Sequence, residues 1–394
     1  MKVLRSYSKN LHFSKKNFLL KRNFGGNQHN SSHLKSPTDA SKKFEINEIV
    51  WPRKVFSGIQ PTGAIHIGNY LGAIRKWKEL QDQKESATFC IVDLHSITIP
   101  IEASALRQNI LNLTATMLAC DLDPKLSTIY VQSTVKEHAE LNWILSCLST
   151  MARLAHLPQY KEKTQKMKEI PLGLFVYPVL QAADIMLFKA THVPVGEDQV
   201  QHIQLCQHLA KSFNFKYGTT FPYCHALIDN RQASRILSLR SLDKKMSKSD
   251  PDQKGSIYLT DSSDQILRKI KKAVTDFTSE VTFDIENRPG VSNLLTIHSL
   301  MTGKSIEDIC AEVKFLDTGK YKFQVAEAII EHLSPIRNKI EYYLKNKEYL
   351  ICCLEEGREK ASTIAEQTMT EVKNKIGLGP SGEYGIPEAL MNQL

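Results

Sequence analysis

The sequence predicts an α/β fold, a doubly wound parallel sheet followed by a helical region, on three observations. Between Lys54 and Gln132, apolar runs of strand length alternate with stretches of helical periodicity, the pattern of a parallel sheet covered by helices. Turn-forming and polar residues then fall where strands should end: Gly58 to Gly63, Asp93 to His95, and Val195 to Asp198. In a doubly wound fold those ends hold the ligand. From about Asp261 the strand signals stop and long helical stretches take over.

The first fifty residues stand apart. They hold ten Lys or Arg against three acids, and Met1 to Thr38 contains no Asp or Glu. Interspersed Leu, Phe and Val without a long apolar core make this the composition of a mitochondrial transit peptide, not of a secretory signal. The leader therefore accounts for +7 of the net charge of +9. The body is nearly neutral, so any nucleic-acid contact there must come from local patches.

Lys54 to Ser57 reads as the first strand, Thr88 to Val92 as the second and Ser127 to Gln132 as the third. Helices are expected near Tyr70 to Leu80 and from Ser104 to Ala119, the latter capped by Ser104 and ending before Asp121 and Pro124. The most apolar run, Leu172 to Phe188, is interrupted by Pro178, Gln181 and Asp184. It thus falls short of the ~18 uninterrupted apolar residues that a membrane-spanning helix requires, and no membrane partner is expected. Beyond Asp261, helices are expected over Tyr321 to Leu333, Pro335 to Asn346 and Tyr349 to Lys375. Ser334 reads as a cap and Pro335 as the first residue of a new helix. The domain division is then a leader over 1–50, a sheet domain over 51–260, a helical domain over 261–378 and a flexible tail over 379–394. A chain of 394 residues, 42% hydrophobic and 24% charged, has material for two such domains. Its eight cysteines contain no C-x-x-C pair and no histidine at zinc-finger spacing, so no metal site made of protein side chains is expected.

Two remote segments carry the chemistry. Gly58, Pro61 and Gly63 make a tight turn between a strand and a helix, so the unpaired N–H groups at the helix start can face an anion. His66 and Asn69 would project donors toward phosphate oxygens, and Gly68 would let a flat ring lie against the backbone. Alone, this is also what a glycine-rich turn with a surface histidine looks like. The second segment places Lys245 and Lys248 among Met246, Ser247 and Ser249, before Pro251. Serine and proline disfavour a helix there, so it reads as a loop whose two ammonium groups could neutralise a leaving pyrophosphate. With Lys244 and Lys254 close by, a solvated basic loop is the plainer alternative. Between these segments Asp184 lies in an apolar helical stretch. Indole offers one donor and no acceptor, and a buried carboxylate among apolar walls would suit it. A phenyl ring would leave that carboxylate unpaired, a mismatch worth ~10⁴ or more in rejection.

Taken together, these residues resemble the tryptophanyl-tRNA synthetases, specifically the bacterial-type enzymes of organelles. The likeness runs from about Val55 to Gly377. It is carried by Ser57 to Gly63, Gly68 to Ala73, Gln181 to Ile185, Val193 to Gln199 and Lys245 to Ser249. It implies a class I synthetase Rossmann-like sheet with a C-terminal all-helical anticodon-binding domain. It also implies catalytic roles for His66, Lys245 and Lys248. Contacts to ATP as substrate are implied for Gln60, Pro61, Thr62, His66, Gly68, Asn69, Gly196, Glu197, Asp198, Ile236 and Lys245 to Ser249, with Mg²⁺ bound through the nucleotide. For tryptophan, the resemblance implies that Asp184 accepts the indole N–H, that Tyr177 and Gln199 hold the ammonium group, and that Phe56, His95, Val193 and Val195 form the walls. It further implies tRNA(Trp) as partner, approached near Arg268, Lys269, Lys271 and Lys272, a homodimer, and, with the leader, the mitochondrial matrix. Gln181 stands where many members have Met, and the stretch around Lys161 and Lys163 departs from the common form, which leaves the roles of all three open. Tyrosyl-tRNA synthetases share the fold and both signatures and are the nearest alternative; a small-molecule adenylyltransferase is a second, and a catalytically dead RNA-binding paralogue a third.

Overall fold

The computed structural model describes residues 50–157, 169–228, 236–247 and 252–378. Five strands, β1 (Val55–Ile59), β2 (Ala87–Ile91), β3 (Thr128–Val131), β4 (His192–Val195) and β5 (His225–Ile228), form one sheet in the order β3-β2-β1-β4-β5. All four pairings are parallel, with Val55 opposite Ala87 and Ile59 opposite Ile91. The order reverses between β1 and β4, which is where a doubly wound sheet opens a crevice.

Side chains alternate across a strand, so a sheet covered on both faces needs apolar residues at successive positions. Val55, Phe89, Ile91, Ile129 and Val131 enter one apolar core, while Phe56, Cys90, Val92 and Tyr130 enter the other. The first core is completed by a helix over residues 67–82, whose central turn Tyr70–Ile74 is π-helical, and by Ala103–Ala119. The second is completed by Glu137–Ser146, Leu172–Leu187 and Val200–Tyr217. The three predicted strands are present within two residues of their expected ends. Ser104 is not the cap of its helix: Glu102 occupies that position without a side-chain bond, and Ser104 lies in the first turn.

After Asp261 the regular secondary structure of the described residues is all helical. Ser263–Lys271 begins with a capping box between Ser262 and Gln265, and Pro289–Thr302 follows with its proline at the start. Thr318–Lys345 and Lys347–Ile376 are the two longest helices among the described residues. The expected break at Pro335 does not occur, because that proline lies inside Thr318–Lys345. Proline removes one hydrogen bond from a helix and crowds the preceding turn. Here the buried stripe Ile329, Leu333, Ile336 and Ile340 continues through it at three- and four-residue steps. Ser334 does not cap; its hydroxyl donates back to the Ile330 carbonyl at 2.6 Å.

β3 is an edge strand, and Lys347–Ile376 packs along it. A covered edge cannot recruit another strand. The approach is close at Gly357, where a Cβ would fall 1.8 Å from the carbonyl oxygen of Ile129. Residues from Val50 onward form one compact unit, so the helical region is continuous with the sheet layer. Among the described residues no helix is long and apolar enough to cross a membrane. The leader over 1–49 and the tail over 379–394 lie outside the described residues.

Candidate active site

A cleft of about 950 Å³ opens at the carboxyl ends of β1 and β4. Its apolar wall includes Phe56, Val193 and Val195, with His95 supplied by the short helix Asp93–Ser96 after β2. Phe56 stacks on Phe188 with ring centroids 5.5 Å apart.

Asp184 also lines the cleft, from the helix Leu172–Leu187, and is 2% exposed. Its carboxylate accepts three hydrogen bonds. His138 Nδ1 lies 2.6 Å and Gln132 Nε2 2.7 Å from Oδ1, and His95 Nε2 lies 2.8 Å from Oδ2. Burial by itself would raise the carboxyl pKa, but the charge and hydrogen bond of His138, and then those of His95, outweigh it. Asp184 is held well below the usual carboxylate range. It is therefore an ionised acceptor, and three donors leave one of its roughly four lone-pair sites to fill.

The opposite wall is built from the two signature segments. Thr62 N–H bonds to the Gln60 carbonyl at 2.9 Å, and Gly63 follows at φ +96°, a conformation that favours glycine. His66 caps the next helix: its Nδ1 accepts the Asn69 N–H at 3.2 Å. An acceptor at Nδ1 puts the proton of the neutral ring on Nε2. A Cβ at Gly68 would lie 3.0 Å from that ring. Asn69 keeps a buried Oδ1 with no hydrogen-bond partner among the described residues. An orphaned acceptor of this kind is costly unless a ligand completes it.

Backbone pairing brings the second segment here. Ile67 N–H bonds to the Ile257 carbonyl and Leu259 N–H to the Ile65 carbonyl, each at 2.9 Å, so His66 bridges Tyr258. Residues 236–238 in turn pair with 244–246, through Met246 N–H to the Ile236 carbonyl at 3.0 Å and Ser238 N–H to the Lys244 carbonyl at 2.9 Å. Ile236, Lys245 and Met246 thereby line the cleft with Gln60, His66, Gly68 and Asn69. Pro61, Thr62, Asp198 and Ser247 do not line it, although they adjoin the lining segments in sequence. Lys248 and Ser249 lie outside the described residues, as do Lys161 and Lys163.

A third group joins the β4 end. Tyr177, Gly196, Glu197 and Gln199 line the cleft. Gln199 donates to Asp198 Oδ2 at 2.7 Å, while its Oε1 accepts from His202 Nδ1 at 3.0 Å and from Gln181 Nε2 at 3.3 Å. His202 Nε2 stands 3.4 Å from the Tyr177 hydroxyl. Burial, and then the charge of Asp198, push the Tyr177 phenol up to about 12, so it stays a neutral donor. A Cβ at Gly196 would meet Asp198 Oδ1 at 2.6 Å, so a larger residue here would push the Asp198 side chain aside.

His138, Gln132 and His202 were not legible as site residues. Each is a single polar residue in an ordinary amphipathic stretch, and its role appears only when separate elements converge. Of the four basic residues at the start of the helical region, Lys269 is engaged internally, 2.6 Å from Asp261 and over the Tyr258 ring; Arg268, Lys271 and Lys272 are exposed.

The family described as tRNA synthetases class I (W and Y) matches residues 51–334. The tryptophan–tRNA ligase of Caldanaerobacter subterraneus subsp. tengcongensis is 45% identical over 326 residues, covering 83% of this chain and 98% of that relative. The chain belongs to the bacterial-type tryptophan–tRNA ligases of class I. Tyrosine as the cognate amino acid and a small-molecule adenylyltransferase are thereby set aside. Solved structures agree with this fold for a tryptophan–tRNA ligase. That of tryptophanyl-tRNA synthetase from Mycoplasma pneumoniae superposes with a TM-score of 0.76 at 32% identity, over 83% of this chain and 98% of that one. The Campylobacter jejuni enzyme, complexed with ADP and tryptophan, has a TM-score of 0.73 at 32% identity, over 82% of this chain and all of that one (100%).

Proposed function

We propose that this tryptophan–tRNA ligase forms tryptophanyl-adenylate in the cleft between β1 and β4 and transfers the tryptophanyl group to the 3′ end of tRNA(Trp) in mitochondrial translation. One observation carries the site assignment: an ionised, buried Asp184 with one acceptor site to fill shares a cleft with His66, Asn69 and Lys245. The indole ring enters between Phe56, His95, Val193 and Val195 and gives its N–H to Asp184. Tyr177 and Gln199 hold the ammonium group, and ATP lies along Gln60 to Asn69, Gly196 to Asp198, Ile236 and Lys245 to Ser249.

The tryptophan carboxylate attacks the α-phosphorus, a bond to its oxygen forms, and pyrophosphate leaves. No general base is needed because that carboxylate is already ionised near neutral pH. Catalysis rests on positioning and on donors aimed at the growing charge. His66 would present Nε2–H to phosphate, and Lys245 and Lys248 would meet the leaving group. Among the described lining residues the carboxylates are Asp184, taken by the indole, and Glu197, a lone acid on the Gly196 to Asp198 segment, so no cluster of acids is there to cage a metal. Mg²⁺ is thus expected to be held by phosphate oxygens, where it would neutralise charge.

The helices over 261–378 are assigned to the tRNA anticodon, with Arg268, Lys271 and Lys272 exposed for backbone contact. A homodimer is supported by exposed Trp143, Met151 and Leu172 on helices that pack together, apolar surface of the kind a second copy covers. Matrix localisation rests on the basic leader, which is free of acids from Met1 to Thr38. ATP–pyrophosphate exchange with purified protein tests the central reading: tryptophan should support it and tyrosine and phenylalanine should not. A reporter fused to residues 1–50 tests the address, and a diffuse cytosolic signal would reject it.

A further inference from the structure

Behind Asp184 stand side chains that the reaction proposed above does not touch. His138, on Glu137–Ser146, is fully buried and faces Oδ1 of Asp184 at 2.6 Å. Its Nε2 lies 2.8 Å from the hydroxyl of Tyr130, which β3 holds in the same core. Tyr130 stacks on the His138 ring with centroids 5.8 Å apart and packs against Phe188 at 5.6 Å. Phe188 is the ring on which the pocket wall Phe56 stacks.

The direction at Asp184 is forced. An ionised carboxylate only accepts, so Nδ1 of His138 carries a hydrogen and donates it to Oδ1, while Nε2 meets the Tyr130 hydroxyl. Oδ1 then has two donors, His138 and Gln132, whereas Oδ2 has one, His95. With about two lone-pair sites on each oxygen, the site still to be filled is on Oδ2.

We propose that His138, oriented by Tyr130, is a positioning residue for indole selection: by occupying Oδ1 it fixes the rotation of the Asp184 carboxylate and leaves Oδ2 as the acceptor for the ring N–H. The proposal rests on the reading that Asp184 binds that N–H. Without His138, Oδ1 keeps only the Gln132 donor, so the carboxylate is held less firmly about its Cβ–Cγ bond and the N–H meets a less fixed acceptor. The apolar walls still hold an aromatic ring. Selection between a ring with an N–H and one without should therefore weaken, while ATP binding is unaffected.

The test uses the full chain with His138→Leu, which removes the donor, and His138→Asn, whose amide can stand where Nδ1–H stood. Exchange is measured with tryptophan and with β-(3-benzothienyl)alanine, in which sulfur replaces the indole N–H at nearly the same shape. The unmutated enzyme should prefer tryptophan in kcat/KM by about tenfold or more, as a site built to bond an N–H does. If it shows no preference, the reading of Asp184 fails and the proposal with it. If it does, His138→Leu should lower the preference by about fivefold or more, the scale of one buried hydrogen bond. The loss should fall on KM for tryptophan, with KM for ATP steady, and His138→Asn should recover most of it. An undiminished preference in His138→Leu overturns the role of His138 while leaving Asp184 as the reader. Equal losses for both amino acids and for ATP also overturn it, since they mark a general structural defect. Should His138→Leu fail to fold, Tyr130→Phe decides, because it keeps the ring packing and removes only the hydroxyl. A fall in the tryptophan preference supports the proposal, and an unchanged preference rejects it.

Discussion

Met246 closes over Gly68: its Cβ stands 3.8 Å from the position a Cβ would take on that glycine. The two residues belong to signature segments far apart in the chain, joined by the pairing of Ile65–Ile67 with Ile257–Leu259. One cleft wall thus contains both, and a nucleotide bound there would be held from both sides.

Gly68→Ala should impair ATP use before anything else. The new methyl would lie 3.0 Å from the His66 ring, which also caps the helix through Nδ1. Displacing it costs both the cap, worth about 1 kcal/mol, and the phosphate donor. We expect KM for ATP to rise by about tenfold, with tryptophan binding retained. Exchange assays at varied ATP check this; an unchanged KM would detach Gly68 from the nucleotide.

Lys245→Ala should act on the chemical step. An ammonium aimed at a leaving pyrophosphate stabilises the transition state more than the ground state, so kcat for exchange should fall by ~10² to 10³. Fluorescence titration should show tryptophan affinity almost unchanged. A comparable loss of tryptophan affinity would assign the lysine elsewhere.

Asp184→Asn should raise KM for tryptophan by about 10² and weaken selection against phenylalanine. It also carries a pH signature. The folded-state pKa of Asp184 is depressed, so its contribution to stability is fully present above the unfolded value of about 3.9 and is lost as pH falls below it toward the folded value. In thermal melts, the advantage of the unmutated protein over Asp184→Asn should be constant near neutrality and shrink below about pH 4. A difference already varying between about pH 6 and 8 would point to other groups.

Gly357→Ala should destabilise the protein by about 3 kcal/mol or more, the upper range for overpacking, because its methyl would meet the Ile129 carbonyl oxygen at 1.8 Å. Urea unfolding would measure the loss. A variant as stable as the parent would mean that the Lys347–Ile376 helix does not rest on β3.

β1 to β3 could be read from the chain because each carries apolar residues for both faces of the sheet. β4 was legible only by its end at Val195 to Asp198, and β5 was hidden: each is four residues long, and His192, Pro194 and His225 interrupt the apolar signal. Pro335 misled for a related reason. Its local preference is to begin a helix, but the buried stripe from Ile329 to Ile340 outweighs that preference.

The turn from Gly58 to Gly63 that hands β1 to the following helix was determined by the sequence alone, because glycine and proline leave so short a stretch few other arrangements. So were the two-faced strands and the amino acid pocket's apolar helix. The surroundings of Asp184 were decided only in the folded state. His95, Gln132 and His138 reach it from sequence separations of 89, 52 and 46 residues. A carboxylate is tuned by whichever donors lie within about 3 Å, and no local pattern specifies which distant elements deliver them.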